Sequence, residues 1–319
     1  MTVIIGLEPR WQGGVDVDTR WTLIPHIRAY LASGVKTQTF TSRTARSKGY
    51  ILYPLAQSFG RRPMNQLTTT AVTRWREDMS DCRPATLRIR VTTAKVFCEW
   101  LVDQGKIKAN PLKGVRIKVD QGPPKTLHHA EVAKLLAHVA DDTRASAIAW
   151  LMIGCALRCI EVANLNVEDY DRGAGTLRVV GKFGKARLVP VPPEVVPALD
   201  AYLDEAGWQS GALIRRRYHP EYVFGIRNAM HNGRLQRQTI SIYMQRWVRE
   251  AGIKHHVLDG RSAHGLRRTC ATDVMRNHKD IRIVKELLGH SNLATTQAYI
   301  GHADIDEMRE AMSGRTYSD

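Results

Sequence analysis

No stretch of this 319-residue chain approaches the ~18 consecutive apolar residues of a membrane-spanning helix, so no membrane partner is expected. The N-terminus does not read as a secretory signal. Cysteine is scarce. Cys82, Cys98, Cys155, Cys159 and Cys270 are odd in number and include no CxxC pair. Three of them fall in apolar helical patterns, which suits small buried hydrophobes in a reducing, cytoplasmic compartment better than a disulfide framework. A phosphate-cradling GxxxxGK[ST] loop is missing too: Gly181 and Gly184 stand too close together, and Lys185 is followed by Ala186. Neither HExxH nor GxSxG occurs, and no spacing singles out a carboxylate cluster. The pairs His128-His129 and His255-His256 lack Cys or acidic partners at ligand spacing and read as surface or capping residues. No metal site is expected.

Acidic residues are also few, 31 against 47 Lys and Arg, for a net charge of +16. The imbalance is local. Residues 20–118 carry 19 basic and 5 acidic side chains, whereas residues 119–319 carry 27 and 23. So concentrated a positive field attracts polyanions, nucleic acid first. With 43% apolar residues the chain can build real cores, and its length suits two domains.

Residues 1–19 look like a flexible leader. Leu23, Ile24, Ile27, Tyr30 and Leu31 then mark one helical face that Gly34 is expected to end. A second helical segment from Ser42 carries Arg43, Arg46 and Lys48, and Pro54 is expected to kink or interrupt it. A third helix is expected from Thr68 through Met79. A fourth runs from about Pro84 to Gln104 on the stripe Leu87, Val91, Ala94, Cys98 and Leu101, leaving Arg88, Arg90 and Lys95 to face a partner. These six basic residues are the candidate DNA contacts. The polar connector 118–125, with Pro123-Pro124, sets a boundary between a helical domain at 20–118 and a second at 119–319. In the second, residues 145–157 read as one buried apolar helix. Residues 176–180 and 187–191 read as a β-hairpin around the turn 181–185. Further helices are expected at 194–206, 238–251, 265–277, 279–288 and 292–299. The fold class is mainly α with a small antiparallel hairpin or sheet (α+β).

The chemistry-bearing residues are cations at intervals. Arg158 leaves an apolar run and needs a partner or an anion; Glu161 could buttress it, and a plain structural pair is as good a reading in isolation. Lys182 occupies the hairpin turn. His264 and Arg267 lie one turn apart on one helix. His290 precedes Tyr299 by nine residues in Leu287-Leu-Gly-His-Ser-Asn-Leu-Ala-Thr-Thr-Gln-Ala-Tyr-Ile300. Each piece alone is bland, since a tyrosine on such a helix is usually a core residue.

Together, Arg158, Lys182, the His264-to-Thr272 run, Leu288-Gly-His290 and Tyr299 resemble, in order and spacing, the active-site signature of the tyrosine recombinases, the phage integrase family. The resemblance spans the second domain and extends more loosely to residues 20–118, similar to that family's helical core-binding domain. It departs at Arg268, where many members have histidine, and at Gly154-Cys-Ala-Leu-Arg158, in place of the commoner Thr-Gly-Leu-Arg. Lys185 is a second lysine in the turn; Lys182 is preferred because it directly follows the first turn glycine. The resemblance implies a site-specific DNA recombinase, a C-shaped clamp on double-stranded DNA that works as a homotetramer on two sites and is monomeric or weakly associated when free. Tyr299 would attack the scissile phosphate to give a 3′-phosphotyrosyl link, without metal, ATP or other cofactor. Arg158, Arg267 and His290 would hold the phosphate oxygens, with His264 as general base or acid. Lys182 would protonate the leaving 5′-oxygen, Glu161 would orient Arg158, and residues 301–319 would be exchanged between neighbours. The short leader favours a simple recombinase or a mobile-element integrase. Two rival expectations are a type IB topoisomerase-like relaxing enzyme and a catalytically silent DNA-binding regulator.

Overall fold

The computed structural model describes residues 20–119, 126–181, 184–216, 233–253 and 262–290, together with residues 292, 293 and 296. The leader, Lys182, Tyr299 and the segment 301–319 lie outside the described residues. The chain divides into two compact units, Met1–Gln121 and Gly122–Asp319. Among the described residues no helix is long and apolar enough to cross a membrane.

The first unit is a bundle of α1 (Leu23–Lys36), α2 (Ser42–Phe59), α3 (Thr69–Glu77) and α4 (Pro84–Asp103). Hydroxyls start two of them: Thr41 accepts from the Thr44 amide at 3.2 Å and Thr68 from the Ala71 amide at 3.4 Å. Pro84 opens α4, where its missing N–H costs nothing. The apolar faces of α1, α2 and α4 meet in a core of Leu23, Ile27, Leu31, Leu52, Leu55, Phe97 and Leu101, with Trp75 of α3 closing it.

Two expectations fail here for packing reasons. Gly34 does not end α1, which continues to Lys36. A Cβ at position 34 would stand 2.0 Å from the Phe40 ring, so the glycine admits that ring against the helix. Phe40 in turn packs on Tyr30, and the Lys48 ammonium lies 5.3 Å from its centroid. Nor does Pro54 interrupt α2, which runs unbroken through it. Leu52, Tyr53, Leu55, Ala56 and Phe59 are all buried around the proline, and burial on both sides outweighs the lost backbone hydrogen bond.

The second unit orders α5 (His129–His138), α6 (Thr143–Ile153), α7 (Cys159–Asn164), β1 (Tyr170–Asp171), β2 (Thr176–Val180), β3 (Ala186–Pro190), α8 (Val196–Ala206), α9 (Arg237–Glu250), α10 (Ala263–His278) and α11 (Ile281–Leu288). Helix α6 is the buried spine: Ala147, Ile148, Leu151 and Met152 are fully enclosed, packed in one core with Leu177 and Val179 of β2 and Val189 of β3. The sheet is antiparallel in the order β1-β2-β3, with Leu177 opposite Val189 and Val180 opposite Ala186. A two-residue strand, β1, is thus added to the expected hairpin. His128 precedes α5, where its amide donates to Glu131 at 2.9 Å, a capping position.

The apolar run at 145–157 is not one helix. It stops at Ile153, Ala156 takes a left-handed φ of 51°, and the chain restarts as α7. Arg158 therefore precedes a short new helix instead of finishing a long one. Residues 154–157 are apolar enough to extend a helix on paper. The bend persists because the buried Ala156 carbonyl accepts a hydrogen bond from Arg267, and Leu157 N–H returns to Leu151 O at 3.2 Å.

Gly34→Ala is expected to cost about 1–3 kcal/mol by forcing the Phe40 ring out of place. Urea unfolding of the full chain measures this.

Candidate active site

One carboxylate gathers the site. Glu161 sits in the first turn of α7 and is 3% exposed. Its Oε2 accepts the Arg158 backbone N–H at 2.9 Å, and its Oε1 accepts Arg158 Nη1 at 2.7 Å. From β3, Arg187 donates Nη1 to Oε1 and Nη2 to Oε2, both at 3.1 Å, a two-pronged contact. From α10, Arg267 Nη1 reaches Oε2 at 3.2 Å. Burial alone would raise this carboxyl, but the bond from Arg187 and the charges of Arg267 and Arg187 hold it below its ordinary value. Glu161 is therefore ionised.

A second set of acceptors is the C-terminal end of α11. Its last carbonyls lack helical partners. Leu287 O accepts Arg187 Nε at 2.9 Å; Leu288 O accepts Arg267 Nη2 at 2.5 Å and Arg158 Nη1 at 3.4 Å. The same three guanidiniums thus bind both the carboxylate and the negative end of a helix dipole. Gly289 ends α11 with a φ of 61°, and a Cβ there would lie 3.1 Å from Arg187. Only glycine meets both demands without displacing the arginine.

Immediately past this glycine, His290 is buried, with Nδ1 3.1 Å from the hydroxyl of Thr296, itself fully enclosed. Burial and the charges of Arg267, Arg158 and Arg187 lower its pKa to about 4. His264, in the first turn of α10, is also lowered, by desolvation and then by Arg268, Arg267, Arg158 and Arg237. Both rings are neutral at pH 7, so each has one nitrogen to donate and one to accept a proton.

The structure brings together five of the expected site residues: Arg158, Glu161, His264, Arg267 and His290. They differ in access. The Arg158 side chain is 33% exposed and that of Arg267 only 1%, so Arg158 offers the open guanidinium and Arg267 the enclosed one. Lys182 and Tyr299 fall outside the described residues. Arg187 is the functional candidate that sequence reasoning misses. Its signal lies in the two-residue period of Val189 and Val191, which turns Arg187 inward and leaves Leu188 69% exposed. Glu161, expected to orient Arg158 alone, holds three arginines. In the first unit, Arg43, Arg46 and Arg88 are exposed. The other three candidate DNA contacts are tied to the protein: Lys48 to the Tyr30 hydroxyl at 3.2 Å, Arg90 to Cys82 Sγ at 3.2 Å and Lys95 to Lys113 O at 2.6 Å.

The open Arg158 guanidinium, backed by Arg187 and Arg267 around a buried carboxylate and bordered by two neutral imidazoles, makes an anion site with proton-transfer groups at its edge. The phage integrase family pattern matches residues 125–305. The chain is 33% identical over 233 residues to tyrosine recombinase XerC of Proteus mirabilis, covering 72% of this chain and 71% of that one. It is 36% identical over 225 residues to tyrosine recombinase XerC of Myxococcus xanthus, covering 69% and 72%. Among solved structures, a lambda integrase dimer bound to a COC' core site superposes with a TM-score of 0.70 at 16% identity, covering 93% of this chain and 79% of that one. The Tn1549 transposon integrase in complex with circular intermediate DNA gives 0.68 at 18% identity, covering 90% and 98%. At these identities the structural likeness shows the fold. The chain belongs to the phage integrase family and is a tyrosine recombinase.

The depressed pKa of His290 has a consequence for stability. Its folded value of about 4 lies below its ordinary 6.5, so its contribution is fully present above pH 6.5 and is lost as pH falls towards 4. Over that window the chain is expected to lose about 2 kcal/mol that His290→Gln retains. Thermal unfolding of both proteins from pH 7 to 4.5 reads the difference.

Proposed function

We propose that this recombinase is site-specific and acts on double-stranded DNA, cutting and rejoining it through a 3′-phosphotyrosyl intermediate on Tyr299. The observation that carries the reading is the Glu161 cluster: it brings Arg158 and Arg267 to one place beside two imidazoles that are neutral at pH 7. A phosphodiester gains negative charge on its non-bridging oxygens as it is attacked, and preorganised guanidiniums stabilise that charge without reorganising. In this scheme Arg158 binds those oxygens from the open side, Arg267 supplies charge from beneath, and His290 donates a hydrogen bond.

The Tyr299 phenol has an ordinary pKa of ~10 and needs help at neutral pH. His264 takes its proton as the Oη–P bond forms. As the P–O5′ bond breaks, its electron pair goes to O5′, which Lys182 protonates. One phosphoester replaces another, so the bond energy is kept for rejoining. Thr296, three residues before Tyr299, is buried against His290, which supports placing the nucleophile's segment at this site.

The first unit, with its basic excess, serves as the core-binding domain, and exposed Arg43, Arg46 and Arg88 are its best phosphate contacts. Affinity for DNA then falls steeply with salt. The working assembly is a homotetramer on two DNA sites. A lambda integrase tetramer bound to a Holliday junction, with a TM-score of 0.70 to this chain at 16% identity, supports that reading through its fold.

Incubation with a pool of nicked duplexes, followed by sequencing of covalently trapped DNA, is expected to recover one defined site. Tyr299→Phe is expected to bind that site with unchanged affinity and form no adduct. An adduct with the phenylalanine variant overturns the nucleophile assignment. Capture without exchange between two sites overturns the proposed assembly on two DNA sites.

A further inference from the structure

Arg187 differs from Arg158, the open guanidinium of the cluster. Each nitrogen of its guanidinium donates to a protein oxygen: Nε to Leu287 O, Nη1 and Nη2 to the two oxygens of Glu161. Its side chain is 13% exposed, against 33% for Arg158. A guanidinium so engaged is poorly placed to bind a substrate phosphate. It is well placed to lock elements together.

What it locks is informative. Arg187 is the second residue of β3, whose pairing with β2 continues to Val180 opposite Ala186, and the Gly181 N–H donates to Lys185 O at 2.8 Å. Gly181 and Lys185 therefore close the ladder two residues away from Arg187. At its other end Arg187 holds α11 at Leu287 and packs on Gly289.

We propose that Arg187 is a positioning residue for leaving-group protonation: it fastens the strand ends that flank Lys182 in sequence to Glu161 and to the end of α11. The proposal rests on the reading of Lys182 as the group that protonates O5′. Without Arg187 the strand end is free to shift, and even a small misplacement of an acid costs much of its benefit.

The test compares two linkages at the scissile position of the trapped site. An ordinary phosphodiester needs a proton on the departing O5′. A 5′-bridging phosphorothiolate, whose thiolate leaves unprotonated, does not. Single-turnover rate constants, which do not depend on the fraction of folded enzyme, are measured for the wild type, Arg187→Gln, Arg187→Lys and Lys182→Ala. A general acid contributes ~10²-fold or more. Arg187→Gln is accordingly expected to slow phosphodiester cleavage by about 10²-fold more than it slows cleavage of the sulfur linkage. Arg187→Lys, which keeps the charge but loses the fork, is expected to fall between on the phosphodiester. Equal slowing of Arg187→Gln on both linkages overturns the proposal and leaves Arg187 a purely structural ion-pair partner. Lys182→Ala decides the separate question: rescue by sulfur upholds Lys182 as the acid, and failure of rescue removes it, whichever way Arg187→Gln behaves.

Discussion

A negative charge withdrawn from water must be surrounded by hydrogen-bond donors, and Glu161 meets that requirement with three arginines drawn from three separate elements. Arg158 precedes α7, Arg187 lies in β3 and Arg267 in α10. Because all three must converge on one carboxylate, the sheet, the short helix and the long helix are fixed relative to one another by a single side chain. The cost of burying the carboxylate is offset only while all its partners are present. The fold of the second unit and the electrostatics of its site are thus one constraint seen from two sides.

The end of α11 answers a second problem, that of arginines buried beyond what one carboxylate can neutralise. Leu287 and Leu288 present carbonyls that no helical N–H can reach, and the guanidiniums use them. Gly289 then turns the chain at once into His290, whose neutrality follows from the same positive field. A helix end, a glycine and a histidine therefore behave as one device, and the sequence Leu-Gly-His is its trace.

Much of this is legible in the amino-acid sequence. The cations at 158, 264, 267 and 290 are bland one by one and stand out through their shared order and spacing, which resemble the tyrosine recombinase signature. The charge excess of residues 20–118 points to DNA without reference to fold. Arg187 is harder to see because it sits in a strand whose apolar residues, Leu188 included, invite the opposite face to be taken as buried; only Val189 and Val191 betray the true one. The break in the run 145–157 is hidden for a related reason. It depends on Arg267, 111 residues away from Ala156, donating to the carbonyl that a continued helix would have used. Gly34 and Pro54 look like local punctuation, yet tertiary packing decides both.

The whole site depends on the charge of Glu161. Glu161→Gln preserves shape and hydrogen-bonding length while removing the charge, and the decisive measurement is its stability alongside its single-turnover cleavage rate. Breaking a buried ion pair typically costs about 3–5 kcal/mol, and the variant is expected to lose stability of that order. Its cleavage rate is expected to fall with the loss of aligned guanidiniums, and inorganic phosphate is expected to restore part of the stability by occupying the orphaned cations. A variant that unfolds at the wild-type temperature and cleaves at the wild-type rate contradicts that dependence.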